Sequence, residues 1–320
     1  MNSRVAEHCY WLARYLERME ATARLLDVNH TLLLDYHVPP ERQWHPLLVI
    51  CGLTDGPDGA SADVVQERLT WDLTCPVSIA SNLSCARENG RIIREVISAD
   101  MWERLNFYHL WLQSAAARRE FAASRTDFYA QVKRVSQLLA GIGDATMSHD
   151  EAWQFVRLGS HLERASQTAR ILDVKYHMLL ADPAEVGSPV DNAQWSAILT
   201  SCSGYEPFHK TPRLAPTDLG VAVAEFLLFD RPFPRSVRHG LGQSQAAVAA
   251  VGTGGGTLAA AALADLVGWL DGRDIGAVVA GGLHEGLTHV VDGIDTVGDA
   301  VRRSYFEAEV AVADPATSQP

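Results

Sequence analysis

Residues 15–34 read YLERMEATARLLDVNHTLLL, and residues 161–180 repeat this stretch without a gap as HLERASQTARILDVKYHMLL. Around both stretches, apolar residues recur at alternating spacings of four and three, from Val5 to Leu33 and from Phe155 to Leu179. This period places the apolar residues on one face of an α-helix. The two stretches therefore predict two long helices, each of which buries one face in a bundle.

The repetition extends beyond these two helices. Further landmarks recur in the same order in the second half, at a separation that grows slowly, as a duplication with loop insertions produces. The landmarks pair Gln43-Trp44 with Gln194-Trp195, and Asp72-x-x-x-Pro76-x-Ser78 with Asp230-x-x-x-Pro234-x-Ser236. We predict an all-α bundle of two tandem pseudo-repeats, residues 1–146 and 147–306, with 307–320 as a frayed tail. The junction has no Pro/Gly-rich spacer, so the repeats are expected to pack as one globular unit.

Capping signals predict further helices. Pro76 and Pro234 are interpreted as the starts of two helices, since Pro suits the first helical turn. Ser124-Arg-Thr-Asp127 and Ser148-His-Asp-Glu151 match the capping-box pattern. The other helices are expected at roughly 99–118, 124–144, 257–270 and 275–306. The segment GTGGGT at 252–257 lacks the Lys-Ser/Thr ending of a phosphate-binding loop and is interpreted as a flexible connection.

Composition argues against several classes of function. The 320 residues carry a formal net charge of −12, which disfavours binding to nucleic acid. The mean hydropathy of −0.03 and the lack of a long apolar run predict no membrane segment. Charged residues recur through the N-terminus, unlike a secretory signal, so a cytoplasmic location is expected. Five cysteines without a C-x-x-C pair fit reduced thiols and no zinc knuckle.

No cofactor or metal ion is expected. His284-Glu285-x-x-x-His289 is similar to a zinc-protease motif, but its histidines are five residues apart. That spacing is about 140° round a helix, so the two rings cannot converge as ligands at i and i+4 do. No Ser/His/Asp or Cys/His arrangement follows from spacing, although spatial neighbours in a bundle are not visible in a sequence. An enzyme stays open as an alternative.

Charged and polar residues accompany the apolar row of each repeated helix. They are Glu17, Arg18, Thr22 and Arg24 in the first helix and Glu163, Arg164, Thr168 and Arg170 in the second. Glu17 and Arg24 are seven residues apart, as are Glu163 and Arg170, so each pair lies on one stripe. Packing about a pseudo-two-fold axis would bring the stripes together. They then form either a polar pocket with carboxylates for acid–base work or for binding an amine, or an ion-pair network that fixes the packing.

One charged segment of the first repeat has no charged counterpart in the second. It contains Arg87, Glu88, Asn89, Arg91, Arg94 and Glu95, whereas the matching segment reads Gln245-Ala-Ala-Val-Ala249. A charge that the fold itself required would be present in both repeats. The segment is therefore a candidate partner or anion-binding surface, with a solvated charged face as the alternative.

Four motifs carry a resemblance that covers nearly the whole chain. They are RVAEHCYWLARYLERMEATARLLDV from residue 4, ARENGRIIREVISADMWERLN from residue 86, DEAWQFVRLGSHLERASQTARILDV from residue 150 and FPRSVRHGL from residue 233. The chain resembles the alpha-E family of bacterial helical proteins. That family is found beside or fused to circularly permuted ATP-grasp amide ligases, often with a transglutaminase-like protein. The segment GTGGGTLAAAAL departs from the family's more charged helix pair.

The resemblance implies an accessory role, with a co-encoded ATP-grasp ligase as partner and a transglutaminase-like protein as a second one, in making a peptide or modified amide. It brings no established catalytic residues. One alternative is an enzyme of the same pathway that acts on an amide or amino-acid substrate at the Glu/Arg pocket. Another is a structural bundle that oligomerises through an exposed apolar face. Substrate and oligomeric state do not follow from the sequence.

Overall fold

The computed structural model describes residues 1–35, 44, 47, 48, 51, 53, 61–179, 187–210, 218–252 and 257–307. These residues form fourteen α-helices and one π-helical turn, and no strand occurs among them. The helices are α1 (Ser3–Asp35), α2 (Ala62–Trp71), α3 (Ile79–Ile92), α4 (Ala99–Leu112), α5 (Ala115–Ala123), α6 (Arg125–Thr146), α7 (Glu151–Leu179), α8 (Pro189–Ser201), α9 (Tyr205–Lys210), α10 (Leu219–Phe229), α11 (Val237–Val251), α12 (Thr257–Asp271), α13 (Ile275–Ala280) and α14 (Leu283–Val301), followed by the π-helical turn Arg302–Phe306. The prediction of an all-α bundle is confirmed.

The two repeated stretches form the longest helices, α1 and α7, which pack against each other at the centre of the molecule. In the part of α1 and α7 whose side chains are described, most of the predicted apolar row is buried, with Leu12, Leu26, Leu158 and Leu172 fully covered. The helices come closest at Gly159, where an added Cβ would lie 2.2 Å from the carbonyl oxygen of Tyr10. Glycine is needed there because any side chain would push the two backbones apart.

Each central helix has two flanking helices. In the first half α3 and α6 pack against α1, and in the second half α11 and α14 pack against α7. One hydrogen bond recurs in both halves: the Thr22 hydroxyl donates to the carbonyl of Val77 at 2.9 Å, and the Thr168 hydroxyl donates to the carbonyl of Arg235 at 2.8 Å. One apolar core runs through both halves. The division into repeats at residue 146 stays a prediction.

The helices predicted to start at proline begin slightly later. Helix α3 begins at Ile79 with Ser78 as its N-cap, and α11 begins at Val237 with Ser236 as its N-cap. The Ser78 hydroxyl oxygen accepts from the amide of Ser81, which satisfies one free N–H of the first turn. Pro76 and Pro234 therefore lie in the turns that precede the helices, and each helix starts three residues after the predicted proline.

Three further boundaries differ from expectation. The predicted helix at 99–118 is two helices, because Ser114 caps a new start by accepting from the amide of Ala117. The predicted helix at 275–306 is interrupted at Gly282, whose φ of 96° lies outside the helical region. The cap of α7 is Asp150, which accepts from the amide of Ala152 at 2.9 Å, and not Ser148. The predicted Ser124 cap of α6 is confirmed.

Some predictions fall on residues outside the described ranges. These are Gln43, positions 253–256 of the Gly-rich segment and positions 308–320 of the tail. Within the described ranges, no helix combines the length and the apolar character that crossing a membrane requires.

Candidate functional site

The two repeated Glu-Arg dipeptides exchange partners across the interface of α1 and α7. Glu163 on α7 accepts from Nε and Nη2 of Arg18 on α1, at 2.7 and 2.9 Å. In return, Glu17 on α1 accepts from Nε of Arg164 on α7 at 3.1 Å and from its Nη2. Four of the six predicted pocket residues thus meet in two crossed ion pairs at the centre of the bundle.

The ion pair of Glu163 with Arg18 is enclosed by other side chains on the side of Glu163. Glu163 is 1% exposed, and it also accepts from Nε of Arg14 at 2.7 Å and from the amide of Gln167 at 2.9 Å. Arg14 in turn donates to the hydroxyl of Tyr10 at 2.9 Å. A buried carboxylate with this many charged donors is held in one place and has little room for a substrate.

Electrostatics keep both carboxylates ionised. Burial by itself raises the pKa of the Glu163 carboxyl, but the guanidiniums of Arg14 and Arg18 outweigh burial and hold that pKa well below its usual range. Burial also raises the pKa of Glu17, whereas the ion pair with Arg164 brings it down to about 2. Both groups are therefore negatively charged at neutral pH.

The Glu17 half of the network opens into a cavity of about 250 Å³ between α1, α6 and α7. Its polar wall consists of Glu17, Ser136, Asp144, Arg157, Ser160, His161 and Arg164. Its apolar wall consists of Leu12, Ala13, Leu16, Met101, Leu139, Ala140, Gly143, Trp153 and Val156. The hydroxyl of Ser160 donates to Glu17 at 2.8 Å. The two crossed ion pairs thus have different surroundings, one enclosed and one beside free space.

His161 stands out in the wall of this cavity. Its Nδ1 atom is buried and has no hydrogen-bond partner among the described residues. Burial, helped by the positive charge of Arg164, lowers the pKa of His161 to about 3, so the ring is neutral at pH 7. Buried polar atoms are nearly always hydrogen-bonded, so this orphan nitrogen is an unusual feature.

The two remaining predicted pocket residues lie elsewhere. Arg24 donates to Glu20 at 2.6 Å and to the hydroxyl of Ser203 at 2.6 Å, and Glu20 also accepts from Arg235 at 2.6 Å. Arg24 therefore pairs with Glu20 and not with Glu17, although Glu17 and Arg24 share one stripe of α1. Residues seven apart on a helix are separated by about 10 Å along its axis, and nearer partners are available.

Arg170 forms no ion pair with a described carboxylate. Its position matches that of Arg24 in the repeat, but Ser166 occupies the position that matches Glu20. Among the described residues, α7 therefore has no carboxylate at the position that holds Arg24 on α1. Arg170 lies on the same stripe of α7 as Glu163 but does not take part in the crossed ion pairs.

The predicted partner surface is partly exposed and partly tied to the core. Glu88, Arg91, Arg94 and Glu95 are exposed, whereas Arg87 and Asn89 are half-buried. Asn89 accepts from the ring of His8 on α1 at 2.8 Å, and Arg87 donates to Asn106 on α4 at 3.2 Å. Arg91 pairs with Glu88 at 2.6 Å. Asn89 and Arg87 thus anchor α3, and the four exposed residues face outward.

The two histidines of the zinc-protease-like motif have separate neighbours. His284 lies 2.8 Å from Asp173 on α7, and the ring of His289 stacks on Trp269 with ring centres 4.2 Å apart. The described residues hold no group of three or more His, Cys, Asp or Glu that could bind a metal ion together.

Sequence reasoning missed several residues of the site, namely Arg14, Glu20, Arg157, His161 and Arg235. A signal was available for some of them. Arg14 lies one turn before Arg18, and Arg157, His161 and Arg164 are spaced four and three apart along α7. These spacings place each set on one helical stripe. No such signal marks Glu20 and Arg235, because Glu20 lies on α1 and Arg235 lies in the turn before α11, far away in sequence.

The comparisons with known proteins agree with this architecture. A family model, Alpha-E, described as "a predicted alpha-helical domain with a conserved ER motif", matches residues 1–306. The chain belongs to the Alpha-E family, and the resemblance inferred from its motifs is confirmed. In the repeated segments, the dipeptides Glu17-Arg18 and Glu163-Arg164 are the Glu-Arg pairs that cross between α1 and α7.

Relatives are found in mycobacteria. A protein of Mycobacterium bovis and two of Mycobacterium tuberculosis, all named as uncharacterized, are 24% identical to this chain over 263 residues. The match covers 74% of this chain and 28% of each relative. The chain thus spans less than a third of the length of these relatives. No solved structure matches the chain.

The depressed carboxyl pKa values predict a specific dependence of stability on pH. A carboxylate whose pKa is lower in the folded than in the unfolded state stabilises the fold above the unfolded pKa and loses this effect as pH falls through the folded value. We expect the melting temperature to fall steeply between about pH 4.5 and pH 2, the interval between the usual pKa and that of Glu17. Calorimetry at constant ionic strength measures this.

The matched comparison is Glu17→Gln over the same pH range. The difference in melting temperature between the native chain and this variant should shrink as pH approaches 2. A constant difference from pH 7 to pH 2 would contradict the assignment of Glu17 as a charged partner of Arg164.

Proposed function

We propose that this chain is a cytoplasmic, non-catalytic accessory partner of an ATP-grasp amide ligase in the synthesis of a peptide or modified amide. The pathway comes from the family resemblance of the sequence. The non-catalytic role is supported by one structural observation, the direction in which the titratable groups of the interior are shifted.

Acid–base and nucleophilic catalysis need groups whose pKa lies near the working pH. In the interior of this protein, the pKa values are shifted away from neutral pH. The pKa of Glu17 is about 2 and that of His161 is about 3, so one is a very weak base and the other is neutral and hard to protonate. Burial raises the pKa of the Cys9 and Cys202 thiols to about 12, which keeps them protonated and unreactive. This pattern favours a binding or scaffolding role over the alternative of an enzyme at the Glu/Arg pocket.

The surface offers a place for a partner. The exposed Arg91 lies in the last turn of α3 and the exposed Arg94 follows that helix. The guanidinium of Arg94 lies over the ring of Trp102 on α4 at 5.7 Å. On α4 itself, Phe107 and Leu110 are 55% and 56% exposed. Arginine together with exposed aromatic and aliphatic side chains is the composition of protein-binding hot spots.

The decisive experiment combines the purified chain with the ATP-grasp protein encoded beside it. We expect no turnover of ATP or amide substrates by the chain alone. We expect copurification with the ligase and a faster ATP-dependent amide formation when the chain is added. Robust hydrolysis or ligation by the isolated chain would reject the accessory role and favour the enzyme alternative.

Charge reversal tests the surface. The double variant Arg91→Glu/Arg94→Glu should weaken binding to the ligase about tenfold or more, because an interfacial arginine is replaced by a repelling charge. Both side chains are exposed, so the melting temperature should change little. The matched control is Arg134→Glu, an exposed arginine on α6. Equal binding by the double variant and the control would remove this surface from the proposal.

A further inference from the structure

We propose that the cavity between α1, α6 and α7 binds a single zwitterionic α-amino acid with an apolar side chain. The carboxylate of this ligand would lie against Arg157 and its ammonium group against Asp144. This inference goes beyond the partner role and does not depend on it, since it concerns the isolated chain.

Among the described residues, Arg157 is the cation of this cavity that has no carboxylate partner. Its guanidinium donates to the side-chain oxygen of Gln243 at 2.7 Å and to that of Gln154 at 3.3 Å. Both acceptors are neutral amides, and no described carboxylate forms an ion pair with it. By contrast, Arg164 in the same wall is paired with Glu17. A guanidinium held in place by neutral groups keeps its full charge and is suited to receive a carboxylate.

Asp144 supplies the opposite charge on the facing helix. It lies on α6, whereas Arg157 lies on α7, and its side chain is 73% exposed at the rim of the cavity. Among the described basic side chains, the ring of His149 lies near its carboxylate, at 3.8 Å. Asp144 is therefore accessible to an entering ammonium group.

The balance of charge favours a zwitterion. The wall carries two positive groups, Arg157 and Arg164, and two negative groups, Glu17 and Asp144. His161 is neutral at pH 7. A ligand with one positive and one negative group enters without leaving the cavity with a net charge, whereas a dianion or a dication would not.

The cavity also has room and a polar group for such a ligand. An apolar cavity of about 150 Å³ can hold benzene, so about 250 Å³ accommodates an amino acid with a branched side chain. Leu16, Leu139 and Trp153 offer an apolar surface to that side chain. The hydroxyl of Ser160, which lies on α7 one helical turn from Arg157, is a further polar group in the same wall.

Isothermal titration calorimetry with L-leucine tests the proposal on the isolated chain. Two truncated probes accompany it: 4-methylpentanoate, which lacks the amine, and 3-methylbutylamine, which lacks the carboxylate. We expect saturable binding of L-leucine with one ligand per chain, and binding of each truncated probe weaker by about tenfold or more, since each leaves one charged group of the wall without its partner. Failure of L-leucine to bind, or equal affinity for a truncated probe, would overturn the proposal.

Substitutions in the wall of the cavity test whether L-leucine binds there. Arg157→Gln should weaken L-leucine binding by about tenfold or more and Asp144→Asn by less, because Asp144 is more exposed to solvent. Arg134→Gln, on the outer face of α6, is the matched control and should leave the affinity unchanged. If Arg157→Gln does not fold, Ala140→Phe fills the rim of the cavity and should abolish binding. Affinity that resists both Arg157→Gln and Ala140→Phe in folded protein would place the ligand elsewhere. If no ligase binds the chain or responds to it, the accessory role is rejected. That outcome does not affect the titration with L-leucine, which uses the isolated chain.

Discussion

Replacing Glu163 by glutamine is expected to lower the free energy of unfolding by about 3 kcal/mol. The variant keeps the shape of the side chain but removes the charge that three neighbours face: Arg14, Arg18 and Gln167. Glu163 is 1% exposed, so water cannot replace the lost charge, and breaking a buried ion pair typically costs about 3–5 kcal/mol. We expect a loss at the lower end of this range because Arg18 is partly exposed to water. Urea unfolding at pH 7 measures the change.

Glu17→Gln is the matched comparison from the other repeat. Glu17 has one guanidinium partner, Arg164, and borders a cavity into which water can enter. We therefore expect a loss of about 1–2 kcal/mol, clearly smaller than for Glu163→Gln. Equal and negligible losses for both variants would show that the crossed ion pairs contribute nothing to the fold.

A second large effect is expected from Gly159→Ala. The new Cβ atom would lie 2.2 Å from the carbonyl oxygen of Tyr10, well inside contact distance. That oxygen belongs to the backbone of α1, so relief requires the two central helices to separate. Overpacking a core costs about 1–3 kcal/mol and occasionally more, and a clash with backbone falls at the upper end. We expect a loss of about 3 kcal/mol, measured as the free energy of unfolding.

Gly141→Ala is the matched control. Gly141 lies in α6, and an added Cβ would meet nothing within 4 Å. Alanine in a helix interior is favoured over glycine by about 0.5–1 kcal/mol, so this variant should be slightly more stable than the native chain. A harmless Gly159→Ala substitution, tested beside this control, would mean that α1 and α7 are not packed as closely as the structure indicates.

Apolar spacing and helix caps predicted the helices well because both depend on residues that are close together in the sequence. The four-and-three spacing places the central rows inside α1 and α7, and the Ser124 capping pattern marks the start of α6. The errors occurred where several local signals compete. Ser114 interrupts an apolar pattern that could have continued, and Asp150 is as good a cap as Ser148 and lies nearer the helix.

The candidate site was only half predictable. The repeated Glu-Arg dipeptides led to Glu17, Arg18, Glu163 and Arg164, and these four residues do meet. Their partners did not follow from spacing along one helix. Arg24 pairs with Glu20, and the guanidiniums that donate to Glu163 are those of Arg14 and Arg18 on the other helix.

The amino-acid sequence by itself determined that the chain is helical, that two matching helices dominate it and that each carries a Glu-Arg dipeptide beside its buried row. These properties depend on side-chain period and on capping, which act over a few residues. Only the tertiary structure decided that the dipeptides cross, that Glu163 is enclosed while Glu17 borders a cavity, and that Arg157 has neutral amides as its partners in the part of the chain that the structure describes. The physical reason is that ion pairing and burial depend on distances between helices. The sequences of α1 and α7 are similar, but different side chains pack around each of them.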